Sequence, residues 1–172
     1  IDNIASWDAY GTVNGAFKNA HFYGTKSNQV LILNGRFDNY DYVGMYNDSS
    51  TLELVKNDGS EVLYINTLGN NELIKIDAPA SFAGHIRDFG PDDKLDLVGL
   101  SVSSASYDGA KLNVNTSNGF TYQYDVTGSL TGTTLQVFSD GAGGSLIQFK
   151  TPPGWKSGAT GDWSVASNWE IG

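Results

Sequence analysis

The sequence predicts an all-β fold: a β-solenoid (parallel β-helix) of coils about 21 residues long, with an antiparallel β-hairpin cap at its C-terminal end. Three observations predict it. Helical periodicity is missing, because no window of 11 residues places apolar residues at i, i+3, i+4 and i+7 without a Gly or an Asn-Asp-Gly cluster interrupting it. Short alternating segments of about five residues recur instead, bounded by turn residues. Finally, apolar positions return at a fixed interval. Leu31, Leu52, Leu73 and Leu95 stand 21, 21 and 22 residues apart, and Leu33, Leu54, Ile76 and Leu97 step by 21, 22 and 21. A weaker register runs through Phe22, Val43, Tyr64 and Ile86 at 21, 21 and 22. A coil of that period stacks equivalent strands, and each coil buries its apolar face only against the next. The alternative is a β-sandwich with evenly spaced hairpins, whose strands recur every 8–12 residues or so.

Taken in order, residues 30–33 run into Asn34-Gly35, and residues 51–55 into Asn57-Asp58-Gly59. Residues 61–65 end near Gly69-Asn70-Asn71, and residues 72–76 end at Asp77-Ala78-Pro79. Leu, Ile, Val and Phe take the inward positions, while Asn, Asp and Gly take corners where positive φ is needed. After residue 100 the pattern changes. Residues 111–115 and 120–124 flank Thr116-Ser117-Asn118-Gly119, and residues 134–138 and 145–149 flank a Gly-rich turn at 139–144. Both are hairpin signals, and hairpins there would cover a strand edge that otherwise invites pairing with other chains. From Thr151 the chain reads as loop, with Pro152-Pro153-Gly154 followed by three of the four Trp residues. Residues 1–150 thus form one solenoid domain, with coils over about 10–100 and a cap over about 101–150, and residues 151–172 form a Trp-rich linker or clasp.

Composition narrows the functions. The 172 residues are 40% hydrophobic and 12% aromatic, too rich in both for a disordered chain. The net charge is −9, from 10 basic and 19 acidic residues. Such a surface repels phosphate backbones and anionic bilayers, so neither nucleic acid nor membrane insertion is expected. No apolar run approaches the roughly 18 residues of a transmembrane helix. Cys is absent, which excludes disulfides, thiolate metal sites and Cys nucleophiles together. The chain opens on Ile1-Asp2-Asn3 without Met, which reads as a processed product or an excised piece.

Three segments carry a resemblance. The tail from Trp155 through Gly161-Asp162-Trp163-Ser164 to Asn168-Trp169 is similar to a W-x(n)-G-D-W-S-x-A-x-N-W element. Residues 81–97, with Ser81-Phe82, Gly84, Ile86, Phe89, Asp93 and Leu95-Asp96-Leu97, resemble the line S-F-x-G-x-I-x-x-F-x-x-x-D-x-(I/L)-D-L. Residues 139–147 resemble a closing D-G-x-G-G-T-x-I hairpin, with Ser145 in place of Thr. All three recur in modules of large bacterial surface proteins with autotransporter- or hemagglutinin-type β-strand repeats. The resemblance implies an adhesin-like repeat module, secreted or at the cell surface, and it supplies no catalytic residue. Pro91-Asp92 departs from the Gly-Asp pair more usual in that line.

Candidate binding residues are aromatic. Trp155, Trp163 and Trp169 serve as a structural clasp or as stacking surfaces for sugars, and Tyr40 and Tyr42 head a set of amphipathic tyrosines suited to interfaces. Asp38, Asp41 and Asp48 would suit a corner Ca2+ site built from oxygen ligands, although the calcium nonapeptide G-G-x-G-x-D is missing. No other cofactor is expected. Asp88, Asp92, Asp93 and Asp96 read as solvent-facing. His21 and His85 fall several coils apart, and neither a G-x-S-x-G elbow nor a Gly-rich phosphate loop occurs. The expected role is therefore a non-catalytic structural and adhesive module, acting by multivalent weak contacts on a cell-surface glycan or on neighbouring modules. The alternative is a carbohydrate-binding module, or a polysaccharide lyase or hydrolase on a β-helix. A groove lined by Trp or Tyr with paired carboxylates or an Arg-Lys-Asp set would mark it.

Overall fold

A computed structural model describes residues 5–38, 41–56, 63–155, 161–162 and 164–170. The chain is a parallel β-solenoid of about four turns, 54% strand and 4% helix. Its strands in chain order are β1 (Ala5–Ala9), β2 (Gly11–Asn14), β3 (Phe17–Lys18), β4 (His21–Thr25), β5 (Val30–Asn34), β6 (Phe37–Asp38), β7 (Asp41–Met45), β8 (Thr51–Lys56), β9 (Leu63–Thr67), β10 (Leu73–Ile76), β11 (His85–Arg87) and β12 (Lys94–Leu97). The cap follows as β13 (Val102–Tyr107), β14 (Lys111–Thr116), β15 (Thr121–Val126), β16 (Thr134–Ser139) and β17 (Ser145–Lys150), and the tail as β18 (Gly154–Trp155) and β19 (Trp169–Glu170).

Each coil contributes one strand to each of two sheets. One runs β1-β4-β7-β9-β11-β15-β14-β13, the other β16-β17-β12-β10-β8-β5-β2, and β3 pairs with β6 on a short third side. All pairings among the coils are parallel. At the last coil the cap takes over: β15 joins β11 in parallel, and β17 joins β12 antiparallel. Both predicted hairpins form, β14 with β15 and β16 with β17. β13 was not foreseeable from apolar alternation, because residues 102–107 carry only scattered apolar side chains and join as the edge beside β14.

The core is a stack of aligned side chains. Leu33, Leu54, Ile76 and Leu97 lie in one column as the spacing predicts, all fully buried. Two other columns differ by one residue. Ile74, not Leu73, sits between Leu52 and Leu95, and Ile65, not Tyr64, sits between Val43 and Ile86. One more residue separates the coil of β7 and β8 from that of β9 and β10, and a one-residue slip carries a side chain to the opposite face of a strand. Leu73 and Tyr64 are accordingly half-buried on the outside. Truncating one column member leaves a cavity that the stacked neighbours cannot close. Leu54→Ala should lower the unfolding free energy by about 3 kcal/mol in urea titration.

Polar groups tie the corners of successive coils. Asp41 accepts the Ala20 amide at 2.6 Å, and Asp93 accepts the Glu72 amide at 3.0 Å and that of Gly90 at 2.8 Å. Thr25 donates its hydroxyl to Ser50 at 2.5 Å. Asn19, Asn28 and Asn71 take left-handed φ of 50°, 56° and 58°, as corner residues should. The placing of the acids at 88–96 in solvent needs one correction: Asp88 and Asp92 are exposed and Asp96 is half-buried, but Asp93 is buried because it caps the amide one coil back.

Candidate functional site

Parallel stacking in register puts equivalent residues side by side on the outer face as well as in the core. On the eight-stranded sheet one row reads His21, Tyr42, Tyr64, His85, Asp125 and Lys111. The row two residues on reads Tyr23, Gly44, Asn66 and Arg87. Where the second row has Gly44, the ring of Tyr46 fills the place, since a Cβ there would lie 2.3 Å from it. Tyr46 and Tyr42 share a hydrogen bond through their hydroxyls. His21, Tyr23 and Tyr42 pack as a cluster, with centroids 5.8–6.2 Å apart, and His21 Nδ1 lies 3.0 Å from the Tyr23 hydroxyl in a hydrogen bond. Burial and the contact with Tyr46 push the Tyr42 hydroxyl far above the ordinary range, so it stays protonated.

The row ends in a small open cavity of about 190 Å³ lined by His85, Arg87, Lys111, Asp125 and Thr127, among others. His85 stacks on Tyr64 with centroids 5.1 Å apart and planes 15° apart, and the Arg87 guanidinium sits 4.1 Å from the Tyr64 ring centre. That contact is a cation–π interaction, which holds the guanidinium in place. Asp125 bridges the cavity: its Oδ2 lies 2.8 Å from His85 Nδ1, and its Oδ1 is ion-paired to Lys111. Burial, Arg87 and Lys111 together hold the His85 imidazole below its ordinary value, despite the carboxylate beside Nδ1. With Nδ1 against the Asp125 carboxylate, Nε2 is the nitrogen left to a ligand.

Of the residues singled out from sequence, Tyr42 lies in this row. Tyr40 and Trp163 lie outside the described residues. Trp155 and Trp169 pair across the two-stranded ribbon of β18 and β19, so the tail folds back on itself. Asp38 is ion-paired with Arg36 at 2.6 Å. Asp41 opens β7 with its carboxylate on the Ala20 amide, and Asp48 follows the far end of that strand, accepting from Asn70. Among the described residues no three His, Cys, Asp or Glu side chains come together as a metal-binding set.

The sequence reading missed the cavity. Half of it was legible: the turn after Thr116 places Lys111 opposite Asp125 across the hairpin. The other half depends on β15 docking against β11, which joins His85 to a residue 40 positions later.

Fold and face together define a class, a capped parallel β-solenoid with an aromatic outer row. In comparisons with known sequences, no family model matches the chain and no curated protein is similar to it.

Proposed function

We propose that the chain is a non-catalytic adhesive and spacing module of a bacterial cell-surface or secreted protein. The observation that carries this reading is the unbroken in-register row from His21 to Lys111. It offers amphipathic rings at the strand spacing of about 4.8 Å on a scaffold whose backbone hydrogen bonds run along the axis. Amphipathic Tyr rings suit interfaces, and each contact is weak alone. Repetition along a longer array multiplies them. The adhesin-like motifs at 81–97, 139–147 and 155–169 point the same way.

A second reading, a carbohydrate-binding module, is favoured by the Arg87, Lys111 and Asp125 set beside Tyr64. Binding suits the cavity better than hydrolysis does. A glycosidase needs two carboxylates about 5 Å or about 6.5–9.5 Å apart, and Asp125 is the one carboxylate among the cavity-lining residues.

Valency gives the test. Three copies joined in tandem should be retained on immobilised bacterial or plant polysaccharide on which a single copy elutes early, with apparent affinity raised ~10²–10⁴-fold. Equal elution on every surface overturns the adhesive reading. Release of reducing ends at enzymatic rates overturns its non-catalytic part.

A further inference from the structure

We infer that the cavity between β11 and the β14–β15 hairpin binds the carboxylate of an acidic sugar, a uronate unit, with Arg87 as its ion-pairing partner and Lys111 as the second cation. This deepens the adhesive reading, on which it rests for its setting, by naming the ligand class.

Charge sets the sign of the ligand. A chain of net charge −9 repels anions at long range, so an anion site has to be built locally. Arg87 and Lys111 bring two fixed positive charges to the cavity and Asp125 one negative. The surplus of one positive charge matches a monoanion. A phosphate monoester, near −2 at neutral pH, would overfill that charge and face Asp125.

The two cations differ in what already holds them. Lys111 is already held by Asp125, whereas Arg87 makes no ion pair among the described residues. Its guanidinium is fixed over Tyr64 before any ligand arrives. A planar fork held in this way matches a carboxylate by two parallel hydrogen bonds, and prior fixing lowers the entropy lost on binding.

Size and lining limit the ligand further. About 190 Å³ falls below the ~300 Å³ at which sites for drug-sized ligands begin. The cavity therefore takes one unit of a polymer, and it is open enough for a chain to continue beyond it. His85 and Thr127 also line it and are polar partners suited to ring hydroxyls.

A bound carboxylate also favours a charged His85. The groups facing that ring are Asp125 and Lys111 from the hairpin, Arg87 from its own strand and Tyr64 from β9. Binding then takes up a proton, and affinity rises as pH falls from 7.5 to 5.5 while the sugar acid stays ionised.

The test is titration of the whole chain with trigalacturonate by calorimetry at pH 6 and low salt, beside neutral trigalactose and a singly sulfated disaccharide. Trigalacturonate should bind and trigalactose should not. Arg87→Gln, with its fold confirmed by circular dichroism, should weaken binding about tenfold or more, while Lys18→Gln, an exposed cation away from the cavity, leaves it unchanged. No heat at millimolar trigalacturonate overturns the inference, as does equal weakening in both variants. Equal or tighter binding of the sulfated sugar overturns the choice of carboxylate. Tandem chains that adhere without binding trigalacturonate sink this inference alone. Trigalacturonate binding without tandem adhesion sinks the adhesive reading alone.

Discussion

Gly35→Ala should destabilise the protein by about 4 kcal/mol or more, among the largest losses a single methyl group can produce. A Cβ at Gly35 would lie 1.5 Å from the Gly15 carbonyl oxygen, 2.5 Å from its carbon and 3.0 Å from Cε2 of Phe17. The first two are backbone atoms of the preceding coil, so no rotamer change relieves them. Nor can the loop drift away cheaply. The Gly15 amide donates to Asn34 at 3.1 Å and the Phe17 amide to Arg36 at 2.8 Å, clamping the coils on both sides of the contact. Phe17 and Phe37, both buried, stack just beyond it with centroids 5.0 Å apart. Opening the coils enough to admit a methyl therefore breaks hydrogen bonds and an aromatic contact together. At this chain length, the loss corresponds to a melting point lower by roughly 8–16 °C. Gly154→Ala, where a Cβ meets nothing within 4 Å, is the control and should stay within about 0.5 kcal/mol. A Gly35→Ala loss below about 1 kcal/mol would mean that the first two coils are not in van der Waals contact at this corner.

The same close stacking explains why the architecture could be read from sequence and its details could not. Each coil must place an apolar residue at the same height as its neighbours, so the period appears directly in Leu33, Leu54, Ile76 and Leu97. Period alone does not say which of two adjacent apolar residues points inward. Leu73-Ile74 and Tyr64-Ile65 each offer two candidates, and equal spacing favours the wrong member of both pairs, because the coil step grows by one there. The outer face is harder still. A Tyr that heads an outward row and a Tyr that fills a core look alike in sequence. The cavity is assembled only when a hairpin from the cap completes a sheet begun by the coils. Glu72 shows the opposite failure. It opens an alternating segment with nothing to mark it as buried, yet it stands at the corner where Asp93 of the next coil caps its amide.

Glu72→Gln should make the protein more stable, and increasingly so as pH rises. The Glu72 side chain is 0% exposed, and the nearby Gly69 amide only partly offsets the burial of its carboxyl group. Burial, followed by the negative charge of Asp93, pushes the carboxyl up to about 9 from its ordinary 4.5. The folded protein therefore holds this proton across a range in which the unfolded chain has released it. The stability it contributes is complete below pH 4.5, is lost as pH rises, and is gone above about 9, at about 1.4 kcal/mol per pH unit in between. Asp41, Asp77, Asp93 and Asp96 are pushed upward as well, each chiefly by burial, so their contributions carry the same sign. Wild-type stability should fall between pH 5.5 and 7.5, with Glu72 alone accounting for about 3 kcal/mol of the fall. A Gln at this position stays neutral throughout and fills nearly the same volume, so its denaturation free energy should gain about that much on the wild type over the same interval. Parallel pH profiles for the two proteins would show that Glu72 is ionised when folded. A donor or cation absent from the described contacts would then have to balance its charge at the corner.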